Sequence, residues 1–408
     1  MKLTLKPQDI LFFRDGRPME GSDMGHGGNW VLPGIFHDAL MTSFIMTWNE
    51  IQEWEHPHKK NDCDQNESSS FRFGGLKTIG PFPYVGDTVY FPTPNDIVLE
   101  NDEKCSLLKV ELPLGESNLP SPLKYNLVRR GVISKEEIPK QWISFEHMKK
   151  YLKGDLDIET YPNKKIFITE NRYGIEIDSK TDCAKDKKLY SAEYMRLMDN
   201  IELYCEAECL TYSHSKENGA QETDVLRKWR ERGIKEITLG GQCGIAKCFE
   251  IEKEIISKKC SFFEPDQDGV YRIKLVLLSP AIFTSGWLPG WVDESNGEIK
   301  IKPSIERNGM KREVWRKQFK DQQNIGARLV AVRVSGCFKF SGWSLIKKAP
   351  KATQSAVPAG SVYYFECFSK KDAEDFVKWV ENHRVSDVFG EKGFGYAVCG
   401  KWELNKNQ

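Results

Sequence analysis

The feature that most narrows the fold of this chain is an internal echo. Asp224-Val225-Leu226-Arg227-Lys228-Trp229 begins a helical run that leads into Leu239-Gly240-Gly241-Gln242-Cys243-Gly244-Ile245-Ala246. Near the other end, Asp375-Phe376-Val377-Lys378-Trp379 lies in a helical run that leads into Phe389-Gly390-Glu391-Lys392-Gly393-Phe394-Gly395-Tyr396-Ala397. A strand-like segment follows each glycine-rich loop, at 247–251 and 398–402. The openings match as well: Leu5-Lys6-Pro7-Gln8-Asp9-Ile10-Leu11-Phe12-Phe13 resembles Leu278-Ser279-Pro280-Ala281-Ile282-Phe283-Thr284. Two units that each open with a strand and close with helix, glycine loop and strand predict two similar α+β domains. The boundary falls in the charged segment 252–259, giving domains 1–255 and 256–408.

The length of 408 residues leaves room for two such cores. No apolar run reaches the roughly 20 residues of a membrane span. Met1-Lys2-Leu3-Thr4-Leu5 goes straight into strand-like alternation, without a signal-peptide stretch. The 11 cysteines are odd in number and form no CxxC pair, which suits a reducing cytoplasm. Lys plus Arg and Asp plus Glu both total 59, so partners must be read from where the charge sits.

It sits unevenly. Residues 324–365 contain no acidic side chain, yet carry Arg328, Arg333, Lys339, Lys347, Lys348 and Lys351 among Phe338, Phe340 and Trp343. A solvated strand-and-loop face is one reading of such a stretch. Cations for phosphates beside aromatic faces for unpaired bases tilt it toward single-stranded nucleic acid.

Residues 34–55 read as an amphipathic helix with Phe36, Leu40, Phe44, Trp48 and Ile51 near one face, opened by Pro33. Residues 56–70 are polar and aperiodic, an insertion. Ser369, three residues before Asp372, predicts an N-cap for the last helix.

Each candidate site has a bland counterpart. A glycine loop can lay backbone N–H groups close to a phosphate, or can simply be a tight turn. This applies to Gly240, Gly241 and Gly244 and to Gly390, Gly393 and Gly395, where Lys392 adds charge; neither loop has the GxxxxGK pattern of a nucleotide-binding loop. On either reading the sequence suggests that Gly241→Ala and Gly395→Ala leave the chain folded. Pro33-Gly34 opens a helix whose first amides favour an anion. His37-Asp38 on its first turns lacks the further ligands of a metal site. Arg14 and Arg17 either fork onto phosphates or pair with Asp15 and Glu20. Cys205, Cys209 and His214 have marginal zinc spacing, and alternating cysteines in a strand point to core. Trp287 and Trp291 suit base stacking, a partner, or core. No Gly-Gly-Asp-Asp palm motif, nucleophile elbow or metal-ligand cluster is present, and seven histidines leave few players for acid–base hydrolysis.

Several segments together resemble the third-subunit family of the Cmr complex, the type III-B CRISPR effector, in the handle-binding group of the RAMP superfamily. They are Asp9-Ile10-Leu11-Phe12-Phe13-Arg14-Asp15-Gly16-Arg17-Pro18, Leu32-Pro33-Gly34-Ile35-Phe36-His37-Asp38-Ala39-Leu40, Phe91-Pro92-Thr93-Pro94-Asn95-Asp96 and Leu239-Gly240-Gly241. Further on come Gly286-Trp287-Leu288-Pro289, Ser341-Gly342-Trp343, Ala349-Pro350-Lys351, Val357-Pro358-Ala359-Gly360-Ser361-Val362-Tyr363 and Gly393-Phe394-Gly395-Tyr396. The resemblance implies an α+β fold of two tandem ferredoxin-like (RRM-like) domains with glycine-rich loops and insertions, facing each other across a groove. It implies a non-catalytic subunit without cofactor or metal. Such a subunit holds the 5′ repeat-derived handle of the CRISPR RNA, beside the large polymerase-like subunit and the backbone RAMP subunits, and meets target RNA only indirectly. The residues expected on RNA are Arg14, Arg17, Gly34, His37, Gly240, Gly241, Gln242, Lys339, Trp343, Lys347, Lys348, Lys351, Lys392, Gly393, Phe394, Gly395 and Tyr396. The rival reading is a metal-independent RAMP endoribonuclease that trims precursor RNA. There His26, set in Gly25-His26-Gly27-Gly28, or His37 would deprotonate the attacking 2′-hydroxyl.

Overall fold

The computed structural model describes residues 1–13, 24–25, 30–47, 75–99, 105–113, 115–129, 141–215, 219–242, 244–252, 256, 264–266, 268–303, 310–344 and 349–405. The first half contributes β1 (Lys2–Pro7), α1 (Pro33–Thr47), β2 (Leu76–Val85), β3 (Thr88–Pro92), β4 (Gln141–Ser144), α2 (Phe145–Leu152), β5 (Thr160–Pro162), β6 (Phe167–Ile177), β7 (Ala184–Leu197), β8 (Glu202–Ser215), α3 (Val225–Glu231), β9 (Glu236–Thr238) and β10 (Ile245–Glu250). The second half contributes β11 (Tyr271–Leu277), α4 (Arg312–Asp321), β12 (Ala327–Arg333), β13 (Phe338–Phe340), β14 (Gln354–Ala356), β15 (Val362–Cys367), α5 (Lys370–Asn382) and β16 (Ala397–Lys401). The fold is mixed, with five α-helices among the described residues and mostly antiparallel sheets.

One large sheet runs β5-β4-β3-β2-β8-β1-β10-β9, and a second runs β12-β15-β11-β16. Four consecutive strands of the first, β2-β8-β1-β10, and all four of the second share one order. In each, the unit's first strand lies between its third and fourth, and the second is outermost. All these pairings are antiparallel. A helix precedes the fourth strand in both, so the echo in the sequence is an echo in topology.

Alternation sets which residues go inside. In the first sheet Leu3 and Leu5, Leu203, Cys205, Ala207 and Cys209, and Ala246 and Cys248 face α1 and α3. Phe36, Leu40 and Phe44 of α1 are fully buried there, as the helical period predicts; Trp48 and Ile51 lie outside the described residues, as does the 56–70 insertion. Trp229 of α3 is fully buried too and donates through its indole to Ser43 Oγ at 3.0 Å.

In the second sheet Ile273, Leu275, Tyr363 and Phe365 pack on Ala373, Phe376, Val377 and Val380 of α5. Each such side chain contributes about 1.5–3 kcal/mol of burial. The predicted cap is present, with Ser369 Oγ accepting from the Asp372 N–H at 3.1 Å. Asp372 uses Oδ1 to accept from Gly326 N–H at 2.7 Å, which anchors the helix to the start of β12.

The other face of the second sheet is covered by the first half. Phe82, Phe91, Phe145, Met148, Tyr151 and Tyr204 meet Val276, Val362, Tyr364, Tyr396, Val398 and Trp402 in a third core. Both faces of β11 are therefore buried, and its two cations need partners inside. Arg272 finds Asp266 and Asp268, each at 2.7 Å. Lys274 lies 4.0 Å from Asp96 and 3.4 Å from the centre of the Tyr151 ring. The Asp96 carboxylate also accepts from Tyr151 Oη, at 2.7 Å, and Tyr364 Oη, at 2.8 Å. Asn95 beside it donates from its backbone to Gly360 O at 2.7 Å. Two segments singled out in the sequence, 91–96 and 357–363, are thus the two sides of one joint.

Candidate nucleic-acid interface

Each glycine loop is fastened to the exit of its own first strand. In the first, Gly241 N–H donates to Phe12 O at 2.9 Å; in the second, Gly395 N–H donates to Pro280 O at 2.8 Å. The echo of openings and the echo of glycine loops are therefore one feature, because the two segments of each unit touch.

The glycines make room for protein. A side chain at Gly240, where φ is +81°, would begin 2.7 Å from the Phe13 ring and 2.8 Å from Phe12 O. At Gly395, where φ is +69°, it would overlap the Ser386 amide nitrogen. The amides are occupied as well. Gly393 N–H donates to Gly390 O at 3.1 Å, Phe394 N–H to Phe389 O at 3.3 Å and Tyr396 N–H to Ser279 Oγ at 2.8 Å. This corrects the expectation that Gly241, Gly393 and Gly395 lay bare N–H groups for phosphate, since those N–H groups already have acceptors. It also removes the ground for expecting Gly395→Ala to be harmless.

The surroundings of the loops differ. Gly241 and Gln242 are exposed, and Tyr194 Oη donates to Gln242 Oε1. The second loop is buried against the start of α1. Side-chain positions at Gly393 would fall 3.0 Å from Thr78 O and 3.1 Å from Pro33, and one at Gly34 would touch the Phe394 ring at 3.5 Å. Phe394 and Tyr396 are each 2% exposed.

On this joint sits a cationic and aromatic rim. Lys392 donates to Asp38 Oδ1 at 3.0 Å, and Lys351 lies 3.8 Å from Asp38 Oδ2. His37, buried on α1, reaches Asp38 Oδ1 through Nδ1 at 3.3 Å. Burial pushes the Asp38 carboxyl up, but the His37 bond and the two lysines outweigh it and hold it well below the ordinary carboxylate range. Phe340 of β13 stacks on Phe394 with centroids 5.3 Å apart. Beside Phe340, Lys339 is exposed and forms no ion pair among the described residues.

The structure thus brings Gly34, His37, Lys351, Lys392, Gly393 and Phe394 together and sets Gly240, Gly241 and Gln242 on different neighbours. Arg14, Arg17, His26, Lys347 and Lys348 lie outside the described residues, as does the side chain of Trp343. The two arginines of the acid-free stretch serve the fold, Arg328 pairing with Glu298 at 3.1 Å and Arg333 donating to Asn95 O at 3.3 Å. Cys205 and Cys209 are core, and among the described residues no three potential ligands gather as a metal site. Trp291 packs on Phe365 and Trp379 and donates to Val385 O at 2.9 Å. Sequence reasoning missed Asp38 as a hub and the Asp96–Lys274 pair. The signal for Asp38 was there: it follows Gly34 by four residues, on the same helix face.

Comparison with known proteins supplies the family. The model of the family described as CRISPR-associated protein (Cas_Cmr3) matches residues 3–402, nearly the whole chain, which makes this a CRISPR-associated protein. Within that class it belongs to the Cas_Cmr3 family. No curated protein matches it. Among solved structures, a chain of the type III-B Cmr-beta assembly bound to cognate target RNA is 14% identical, with a TM-score of 0.45 over 97% of this chain and 95% of that one. A chain from the same assembly bound to target RNA and AMPPnP gives 14% and 0.45 over 93% and 88%. A chain of the Csm3-Csm4 subcomplex of the type III-A interference complex gives 12% and 0.34 over 89% and 92%. The family match alone carries the assignment.

Proposed function

We propose that this chain is a non-catalytic, RNA-binding subunit of a type III-B CRISPR effector in the cytoplasm. It holds the 5′ repeat-derived handle of the CRISPR RNA and docks the large polymerase-like subunit and the backbone RAMP subunits. The observation that carries this is the convergence of Lys351 and Lys392, from separate elements, on the start of α1. The strand of Lys339 and the half-buried Phe340, backed by the buried Phe394 ring, flank them. Point charges for phosphates beside aromatic faces suit an unpaired strand. The shared strand order of the two sheets supports two ferredoxin-like domains, at 1–255 and 256–408. Among the described residues no helix is long and apolar enough to cross a membrane.

Retention of labelled repeat RNA by the purified chain tests the reading. Replacing Lys339, Lys351 and Lys392 by Ala should weaken binding. It should also flatten the dependence of log affinity on log salt by about 0.7 for each phosphate no longer neutralised. The RNA should remain intact through long incubation without metal. An unchanged slope would remove this rim from the RNA path, and cleavage abolished by His26→Ala or His37→Ala, with binding kept, would establish the endoribonuclease instead.

A further inference from the structure

Asp38 is an odd residue to find in the middle of a surface meant for RNA. Its carboxylate stands on the second turn of α1 and gathers partners from three elements: His37 on the helix itself, Lys392 on the second glycine loop and Lys351 after β13. Between Asp38 and the two lysines, one negative charge faces two positive ones, an excess of one positive charge. The side chains of Asp38 and Lys351 are about half exposed, at 49% and 51%, and that of Lys392 about a quarter, at 24%. Ion pairs this open to water contribute about 0–1 kcal/mol each. A lysine carries its charge on a flexible stem with no fixed fork, so it can change partner without rearranging the backbone.

We propose that Asp38 is an internal counterion of the RNA site, holding Lys351 and Lys392 in the free protein and yielding both to phosphodiesters when RNA binds. This rests on the RNA-binding reading above and gives that site a regulating element. The exchange makes the rim selective. A single weakly held anion does not offset the broken Asp38–lysine pairs, whereas a strand presenting successive phosphates does. Because Asp38 stays ionised at neutral pH, the exchange is one of partners and needs no proton transfer.

The test is the affinity for labelled single-stranded repeat RNA, measured over a range of salt. Asp38→Asn keeps the size of the side chain and removes its charge. It should raise affinity while leaving the slope of log affinity against log salt near the wild-type value, because the same two lysines neutralise phosphates in both complexes. Asp38→Glu should behave as wild type. In a Lys351→Ala/Lys392→Ala background, Asp38→Asn should change nothing further. A folded Asp38→Asn protein with unchanged or lower affinity would overturn the proposal and leave the RNA-binding reading standing, provided the lysine double variant still weakens binding. If the lysine double variant binds RNA like wild type, both fall. A measurement on the unmutated protein needs no variant to fold: the carboxyl of Asp38, followed by NMR, should titrate at higher pH with RNA bound than without. Identical titrations would overturn the exchange.

Discussion

The two glycine loops occupy equivalent places and lead different lives. Each follows a helix, enters the last strand of its unit and is tied by backbone bonds to the exit of the first strand. The first loop has Gly241 and Gln242 on the surface, while the second has Gly393 and Phe394 buried under α1 and β2 and Gly395 buried against Ser386. The helices before them differ in the same sense, but reversed. Trp229 is fully buried under α1, whereas Trp379 is partly exposed and stacks on His383. The same local motif is therefore an end of the structure in one half and the joint between halves in the other. Glycine satisfies the local geometry in both, and the wider fold decides which loop can meet a ligand directly.

The comparison can be broken most severely at the joint. Asp96→Ala would leave Lys274 buried without its counter-charge and the Tyr151 and Tyr364 hydroxyls without their acceptor. Removing one partner of a buried pair costs about 3–5 kcal/mol, to be read from urea unfolding. Next comes the contrast between loops. Gly395→Ala meets backbone at positive φ and should cost about 2–4 kcal/mol. Gly241→Ala has an ordinary φ, and its one tight contact is the Phe12 side-chain ring, at 2.9 Å, with Phe12 O in ordinary contact at 3.5 Å, so it should cost less, about 1 kcal/mol. Equal losses at the two positions would dissolve the distinction between joint and end.

A smaller effect depends on pH. Burial lowers the Lys274 ammonium from its ordinary 10.5 to about 8, against the pull of Asp96. Between those values the unfolded chain binds more protons than the folded one, so stability rises with pH through that window, by about 1 kcal/mol per unit. Wild type should gain on Lys274→Met from pH 8 to 10 in parallel melts. Profiles that run parallel would place the charge of Lys274 outside the joint.

Much of this was legible from residue order. The duplicated strand–helix–loop–strand pattern was visible because alternation and helical period are local properties, and Ser369 announced its helix because a cap needs only its neighbours. Cys205 and Cys209 read as core for the same reason. What the glycines do was not legible. Whether a bare Cα faces a phosphate or a Ser386 amide depends on packing between segments about ten residues apart for Gly395, and more than two hundred apart for Gly241 and Phe12. Asp38 was read only with its nearest neighbour, His37, as a pair lacking the further ligands of a metal site, and its lysines come from more than 300 residues away. Asp96 stood inside a noted motif, but its three partners are scattered over α2, β11 and β15.

The account rests on RNA lying along the rim above the joint, outside the buried second glycine loop. Crosslinking the assembled effector with photoreactive CRISPR RNA, followed by peptide mapping, addresses that directly. Handle nucleotides should crosslink to the peptides containing Lys339, Lys351 and Lys392, and those crosslinks should fall when the three lysines are replaced by Ala. Handle crosslinks confined to other parts of the chain, with the rim peptides unmarked in a complex that holds its RNA, would contradict it.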